Sequence, residues 1–203
     1  MQPSMSSSEI AMVSNFMSRA THYAEFGSGG STCLACRFPN IQSIVSVESD
    51  HAFQQKVQAM CPRADVRWIN IGRTSDYKRS PLSFLFRSRQ GVKPAGSHQM
   101  YGHPADSSSM HLWRDYSTAD IGQPDLILID GRFRVACGIQ CCLKYPDAII
   151  MIHDFAHRTE YHLLLQFLDV FSSTNSLVVA RVKPGLDKAA LEDAFERFVH
   201  EQN

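Results

Sequence analysis

Residues 23–31 read Tyr23-Ala24-Glu25-Phe26-Gly27-Ser28-Gly29-Gly30-Ser31, and residues 43–48 read Ser43-Ile44-Val45-Ser46-Val47-Glu48. Each segment predicts a strand. The glycines at 27 and 29 allow the chain after the first strand to bend sharply and to approach a ligand closely. Glu48 lies 21 residues beyond Gly27, about the separation at which an acid on the next strand reaches the hydroxyls of a ribose. Together the two segments predict a nucleotide-binding turn.

Glu25 separates the possible ligands, because it is an acid at the end of the first strand, two residues before the first glycine. A dinucleotide would bring a pyrophosphate dianion to this turn, where a carboxylate repels it. S-adenosylmethionine brings an ammonium and a sulfonium, which a carboxylate attracts through charge-assisted contacts. The third glycine of the dinucleotide pattern is also missing, since Thr32 stands at that position. The turn therefore favours S-adenosylmethionine.

With these residues the chain resembles the class I S-adenosylmethionine-dependent methyltransferases, in the variant whose turn reads Glu-x-Gly-x-Gly-x-Ser. The resemblance covers about residues 20–155. It is also specific at Asp130-Gly131-Arg132-Phe133-Arg134, which is similar to a segment of bacterial methyltransferase-like proteins. The resemblance implies sites for the three parts of the cofactor. These are Glu25, Gly27, Ser28, Gly29 and Ser31 around the methionine part, Glu48 at the ribose, and Asn70 with Ile71 at the adenine.

Apolar runs of strand length alternate with helical stretches after a leading helix at 8–20. One run, Leu126-Ile127-Leu128-Ile129, is apolar on both faces, as are the strands of a parallel sheet that helices cover on both sides. The sequence therefore predicts an α/β fold with a doubly wound, mostly parallel, Rossmann-like sheet and helices on both faces. The predicted strands of this sheet lie at 22–26, 43–47, 66–71, 126–129 and 148–152.

The end of the chain departs from the family pattern. Methyltransferases of this class usually finish with a strand hairpin, whose last strand runs antiparallel to the others. Here the sequence predicts a helix at 158–171, a strand at 177–183 and a last helix that carries Leu191 and Phe195 on one face. The usual seventh strand is therefore in doubt.

The composition excludes several classes of protein. The 20 Lys and Arg residues balance 20 Asp and Glu residues, so no overall field attracts nucleic acid or an anionic membrane. No apolar run approaches the roughly 20 residues that cross a bilayer, and the start lacks a secretion-signal pattern. We expect one domain over residues 1–203, soluble and cytoplasmic, and leave its oligomeric state open. The spacing of the six cysteines predicts reduced thiols that fill helices rather than a metal site.

Residues 73–122 form an irregular insertion, rich in Ser, Gly, Pro and His, between the third and fourth predicted strands. Such a segment is either a cover over an active site or disordered. Aromatic residues such as Tyr77, Phe84 and Trp113 favour a partly ordered substrate cover. Seven Lys and Arg against four Asp in this segment suit either an acidic small substrate or a solvated surface.

Polar side chains follow the fourth and fifth predicted strands, where a doubly wound sheet binds its ligands. Asp130, Arg132, His153 and Asp154 are the candidate catalytic residues. Asp130 or His153 would accept the proton of an acceptor hydroxyl, and Arg132 would either bind a substrate anion or neutralise Asp130. The alternative is structural: Asp130 as a turn residue paired with Arg132 or Arg134, and His153 hydrogen-bonded to Asp154.

The pair of strand-end acids also resembles the small O-methyltransferases that bind magnesium, including those of the macrocin type. The resemblance implies Asp130 and Asp154 as possible ligands of Mg²⁺. His153 stands where that branch often has another carboxylate, and Mg²⁺ prefers oxygen to imidazole.

The predicted function is S-adenosylmethionine-dependent methylation of a small-molecule acceptor, most readily at oxygen. The first alternative is a non-catalytic module that keeps the fold for interactions, and the second is an NAD-binding oxidoreductase. The sequence does not identify the acceptor.

Overall fold

The computed structural model describes residues 1–74 and 103–202. Within these residues a seven-stranded sheet has the order β3-β2-β1-β4-β5-β7-β6. Neighbouring strands pair in parallel from β3 to β5, whereas β7 is antiparallel to both β5 and β6. The strands are β1 His22–Phe26, β2 Ser43–Glu48, β3 Asp65–Trp68, β4 Leu126–Ile129, β5 Ile149–Ile152, β6 Leu168–Thr174 and β7 Leu177–Val182.

Two hydrophobic cores, one on each face of the sheet, take alternate residues of the strands. Ile127 and Ile129 of β4 belong to one core, and Leu126 and Leu128 belong to the other. Helices α4, α5 and α6 contribute buried residues to the first core, and α1, α2 and α3 to the second. The prediction of a doubly wound sheet with helices on both faces is confirmed. The helices are α1 Ser7–Met17, α2 Gly30–Ala35, α3 His51–Met60, α4 Trp113–Ser117, α5 Arg134–Lys144 and α6 Lys188–Phe198.

The prediction for 158–171 was wrong, and so was the doubt about a seventh strand. Residues Thr159–Gln166 form a 3₁₀ helix, and the chain then enters β6 and returns through β7 as an antiparallel hairpin. Asn175 makes the turn at φ +49°, a left-handed conformation that asparagine adopts more readily than most residues. β6 is an edge strand with three consecutive exposed residues, 169–171, so it lacks the apolar pattern of the inner strands.

The insertion at 73–122 is only partly described. Its last part contains a 3₁₀ helix, Ser107–Leu112, followed by α4. Trp113 and Tyr116 are buried in the first core, so this part is packed structure. Tyr77 and Phe84 lie outside the described residues, and the substrate cover stays a prediction, as does the single domain over 1–203. In the part of the chain that the structure describes, no helix has both the length and the apolar character needed to cross a bilayer.

The sheet order places the ends of four strands around one crevice. β1 lies between β2 and β4, so the strand order reverses direction at β1, and ligands of such sheets bind at this switch point. The register aligns Phe26 with Ile129, and Ile129 with Ile152. Gly27, Asp130 and His153, which follow these residues, therefore lie at the same edge of the sheet.

Candidate functional site

A cavity of about 530 Å³ opens at the switch point, within the size range of pockets for small molecules and cofactors. Nine of the twelve residues predicted for the site line this cavity, whereas Glu25, Asn70 and Ile71 do not. The nine are Gly27, Ser28, Gly29, Ser31, Glu48, Asp130, Arg132, His153 and Asp154.

The glycine turn is closely packed against the segment that follows β4. Gly27 has φ +97°, and a Cβ at this position would lie 2.6 Å from the Cα of Gly131. Its backbone N–H donates to the carbonyl of Val47 on β2 at 2.8 Å. A side chain at position 27 would therefore push apart the two loops that form the floor of the cavity.

Glu25 lies beneath the turn, not on the cavity. It is fully buried, and its carboxylate accepts hydrogen bonds from the hydroxyls of Tyr23 at 2.7 Å, Ser46 at 2.8 Å and Thr32. Burial raises the pKa of Glu25, although hydrogen bonds from Ser31, Thr32, Tyr23 and Ser46 oppose this rise. The carboxylate oxygens are bonded within the protein and Glu25 does not line the cavity, so this geometry does not support the expected contact with the cations of the cofactor.

Thr32 connects Glu25 to the turn. Its hydroxyl oxygen accepts the backbone N–H of Gly29 at 2.8 Å, while its proton is donated to Glu25. The residue that replaces the third glycine of the dinucleotide pattern is therefore part of the support for the turn. Glu25 acts through Thr32 on the backbone of the cavity, and this role depends on hydroxyls from three separate positions.

Glu48 lines the cavity, and the loop after β2 fixes its carboxylate. One oxygen, Oε1, accepts the backbone N–H groups of Ser49 at 2.7 Å and Asp50 at 2.9 Å. The other, Oε2, accepts the Ser28 hydroxyl at 2.8 Å and the Ser28 N–H at 3.2 Å. The predicted ribose acid is thus held at the border between the glycine turn and β2.

Asn70 and Ile71 are not part of the cavity lining. Asn70 is exposed, and its amide oxygen accepts the N–H of Gly72 at 2.9 Å. Ile71 is fully buried, and its carbonyl accepts the indole N–H of Trp113 at 3.1 Å. The cavity does not reach these two residues, so their predicted adenine contacts do not follow from its shape.

Arg134 is the cation between the two strand-end acids, a role the sequence had left open between Arg132 and Arg134. Its buried guanidinium lies 3.1 Å from Asp130 Oδ1 and 3.1 Å from Asp154 Oδ2. It also donates to the carbonyl of Gly131 at 3.0 Å. Phe133 adopts φ +53°, and the chain enters α5 immediately after it. Arg134 is therefore the first residue of that helix and lies between β4 and β5.

His153 lies among carboxylates. Its Nδ1 is 2.9 Å from Asp130 Oδ1, and its Nε2 is 3.6 Å from Glu9 Oε1. Burial lowers the pKa of His153, but the hydrogen bond and charge of Asp130, with the charge of Asp154, outweigh it, so the pKa is raised. This arrangement favours an imidazolium that bridges acids over a neutral base.

Glu9, which the sequence analysis missed, connects the leading helix to the site. Burial opposes its ionisation, but hydrogen bonds from the backbone and hydroxyls of Ser6 and Ser176 lower its pKa to about 2. Ser6 and Glu9 form a capping box at the start of α1. The Ser-x-x-Glu signal was visible in the sequence and explains Glu9 at the helix terminus. Its contact with His153 depends on the tertiary fold.

The residues do not fit a magnesium site. Asp130, His153 and Asp154 offer ligand atoms that lie within 4.8 Å of one another. Two of the carboxylate oxygens are already bonded to Arg134, a permanent cation that would repel a second one. Imidazole is also a poor ligand for Mg²⁺. The implied metal pair, Asp130 and Asp154, is instead bridged by a guanidinium.

Residues Met1–Met5, here called the N-terminal strap, form one wall of the cavity. A Cβ on Gly30, the first residue of α2, would lie 2.2 Å from the backbone of Gln2. The strap therefore rests directly on the glycine turn. No motif in these five residues predicted this position.

Comparison with solved structures identifies the fold. A methyltransferase-like protein from Silicibacter pomeroyi matches with a TM-score of 0.77 and 24% sequence identity, over 98% of this chain and 97% of that one. A protein from Staphylococcus aureus described as a putative caffeoyl-CoA O-methyltransferase matches with a TM-score of 0.49 and 8% sequence identity, over 90% of this chain and 86% of that one. Fibrillarin, a pre-rRNA processing protein from Methanococcus jannaschii, matches with a TM-score of 0.48 and 9% sequence identity, over 82% of this chain and 68% of that one.

No protein-family model matches the sequence, and no curated protein matches it significantly. The assignment therefore rests on the first structural match and on the strand order with its antiparallel β7. The chain has the Rossmann-like α/β fold of that methyltransferase-like protein.

Proposed function

We propose that this chain is an S-adenosylmethionine-dependent methyltransferase that acts on an oxygen of a small molecule. The observation that carries the proposal is the composition of the cavity at the switch point. The glycine turn, the carboxylate of Glu48 and the acids Asp130 and Asp154 all line this cavity. A donor seat and polar groups for an acceptor thus share one space of about 530 Å³.

The donor would lie along the glycine turn. Glu48 would accept hydrogen bonds from the ribose, in exchange for the bond it now receives from the Ser28 hydroxyl. Backbone groups of residues 27–31 would surround the methionine part. Asn70 and Ile71 remain proposed adenine contacts, and they require the cavity to extend beyond its present lining.

S-adenosylmethionine supplies an activated methyl group that is transferred by in-line displacement. The protein therefore contributes mainly positioning and exclusion of water. The acceptor hydroxyl must lose its proton, and Asp130 or Asp154 would accept it. Arg134 keeps both carboxylates in place, and His153 positions Asp130 through a bond of 2.9 Å. No step requires a metal ion.

An NAD-binding oxidoreductase is disfavoured by topology. Dinucleotide-binding sheets of the order 3-2-1-4-5-6 are parallel, whereas here β7 lies antiparallel between β5 and β6. Repulsion of a pyrophosphate by Glu25 does not contribute, because Glu25 does not line the cavity. A net formal charge of zero supports a small acceptor over a nucleic acid.

Calorimetric titration with S-adenosylmethionine, S-adenosylhomocysteine and NAD tests the proposal. We expect heat with the first two ligands only. Heat with NAD alone would overturn the assignment, and binding of none would favour the non-catalytic interaction module. A screen of small hydroxylated acceptors, with detection of S-adenosylhomocysteine with and without Mg²⁺, then tests turnover. We expect turnover that Mg²⁺ does not increase.

A further inference from the structure

The charged side chains that line the cavity are partnered, with one exception among the described residues. Glu48 is bonded to Ser28, Ser49 and Asp50. Asp50 accepts the N–H of Phe53 at the start of α3. The remaining lining charges form a single cluster, in which Asp130, Asp154, Arg134 and His153 pair with one another.

Arg132 is the exception. Within residues 1–74 and 103–202, no carboxylate oxygen lies within 4.0 Å of its guanidinium, although the side chain lines the cavity. Burial lowers the pKa of Arg132, so the cation is partly removed from water. The charge of Glu48 acts on this guanidinium without a direct contact, so a ligand anion that touches the guanidinium would stabilise it further.

The backbone of Arg132 is fixed, so its side chain is presented from a defined point. The N–H of Arg132 donates to the hydroxyl of Tyr116 at 3.4 Å, and its carbonyl accepts from the thiol of Cys137 at 3.4 Å. The next residue, Phe133, has its left-handed conformation and packs against Tyr116 and Trp113. A fixed backbone at Arg132 suits the recognition of a planar or tetrahedral anion by the forked N–H groups of its guanidinium.

Further positive charge lies near Arg132, on Arg134 and Arg158. Burial, together with the charges of Arg132, Arg158 and Arg134, lowers the pKa of His103 to about 4. Arg158 is 3.6 Å from Asp154 and stacks over the ring of Tyr161 at 5.6 Å. Three guanidinium groups therefore act on one region of the protein, and Asp130 and Asp154 partly neutralise only two of them.

We propose that Arg132 binds an anionic group, a carboxylate or a phosphate, on the methyl acceptor. This inference rests on the proposed function and narrows it to acidic acceptors. The methionine part of the cofactor also carries a carboxylate, which has the same chemistry. The acceptor is the preferred source because Arg158, which lies 3.6 Å from Asp154 after β5, extends the positive charge beyond the residues that line the cavity with the glycine turn.

The test uses calorimetry on the whole chain saturated with S-adenosylhomocysteine. The probes are benzoate and inorganic phosphate, with neutral benzamide as the matched comparison. We expect at least one anion to bind, and benzamide to bind about tenfold more weakly or not at all. Arg132→Gln should weaken anion binding by about tenfold or more, yet leave the affinity for S-adenosylhomocysteine within about twofold.

Arg37→Gln is the control, because it removes the same charge from an exposed position outside the cavity. It should change neither affinity. Loss of S-adenosylhomocysteine affinity in Arg132→Gln, with anion binding intact, would assign Arg132 to the cofactor carboxylate and overturn the inference. Failure of both anions to bind a wild-type chain that binds S-adenosylhomocysteine would overturn it as well, while the proposed function stands. If S-adenosylhomocysteine itself fails to bind, the proposed function is overturned, and the inference about Arg132 that rests on it is overturned with it.

Discussion

Arg134 compensates the negative charges of the two acids at the strand ends, so that both can lie in one cavity. Its side chain is 6% exposed and lies between two carboxylates. Removing one member of a buried ion pair leaves the others without compensation, which is far more costly than losing a surface pair. We therefore expect the main effect of substituting Arg134 to be on the free energy of unfolding.

We expect Arg134→Met to lower the free energy of unfolding by about 3–5 kcal/mol. Arg158→Met is the matched control, because Arg158 is 41% exposed and 3.6 Å from the same Asp154; it should cost about 0–1 kcal/mol. Urea denaturation followed by circular dichroism measures both variants. Equal losses in the two variants would contradict the assignment of Arg134 as the central cation.

Glu48→Ala should weaken binding of S-adenosylhomocysteine by about 1–3 kcal/mol, since it removes charge-assisted bonds to the ribose. Glu192→Ala removes an exposed acid whose partner is Lys188 on α6 and should have no effect. Calorimetry on the three chains gives the comparison. Unchanged affinity in Glu48→Ala would remove Glu48 from the cofactor site.

The individual residues show where prediction from sequence reached its limit. Gly27 and Glu48 could be predicted because strand-end geometry and spacing along the chain fix their positions. The direction of Glu25 could not, because it depends on hydroxyls at Tyr23, Ser46 and Thr32 that meet only in the folded sheet. The choice of Arg134 over Arg132 likewise depends on the left-handed backbone at Phe133.

At the scale of elements, the N-terminal strap and α2 are the pair most directly open to test. Gly30→Ala should favour the helix by its intrinsic propensity, by up to about 1 kcal/mol. The added Cβ would nevertheless meet the backbone of Gln2 at 2.2 Å. We therefore expect the strap to leave the turn while α2 stays folded.

Hydrogen exchange measured by mass spectrometry checks this expectation. Amides of residues 4–6 should exchange faster in Gly30→Ala than in the wild type, whereas those of α6, in the opposite core, serve as the internal reference and should not change. Unaltered protection of residues 4–6 would show that the strap tolerates the methyl group.

β4 and β5 were predictable because each is an apolar run in which residues on both faces are buried. β6 was missed for the opposite reason. It pairs on one side only, exposes Asp169, Val170 and Phe171, and follows a 3₁₀ helix whose apolar residues resemble a helical pattern. Its existence is determined by the partner β7 and by the turn at Asn175, not by its own composition.

Across the whole molecule, Glu9 of α1 joins the β6–β7 turn through hydrogen bonds from Ser176 and the end of β5 through its ionic contact with His153. A histidine with a raised pKa stabilises the fold fully below the unfolded value of about 6.5. This stabilisation is lost as the pH rises through the folded pKa. For Glu9, the stabilisation is present above its unfolded value and is lost as the pH falls towards about 2.

We therefore expect the melting temperature to fall as the pH rises above about 6.5, and His153→Gln to remove this part of the dependence. Thermal unfolding between pH 6 and 9 measures the effect, with His157→Gln as the control at a neighbouring position that makes none of these contacts with Asp130 or Glu9. A wild-type curve that is flat, or that rises with pH, would contradict the raised pKa of His153.

The position of the strap has a practical consequence for anyone who prepares this protein. Met1 borders the cavity, so an affinity tag joined ahead of it would begin beside the cavity and would block it or pull the strap away. A tag after Asn203 would follow α6, which contributes nothing to the cavity lining. Binding measurements should therefore be made with the tag at the carboxyl end.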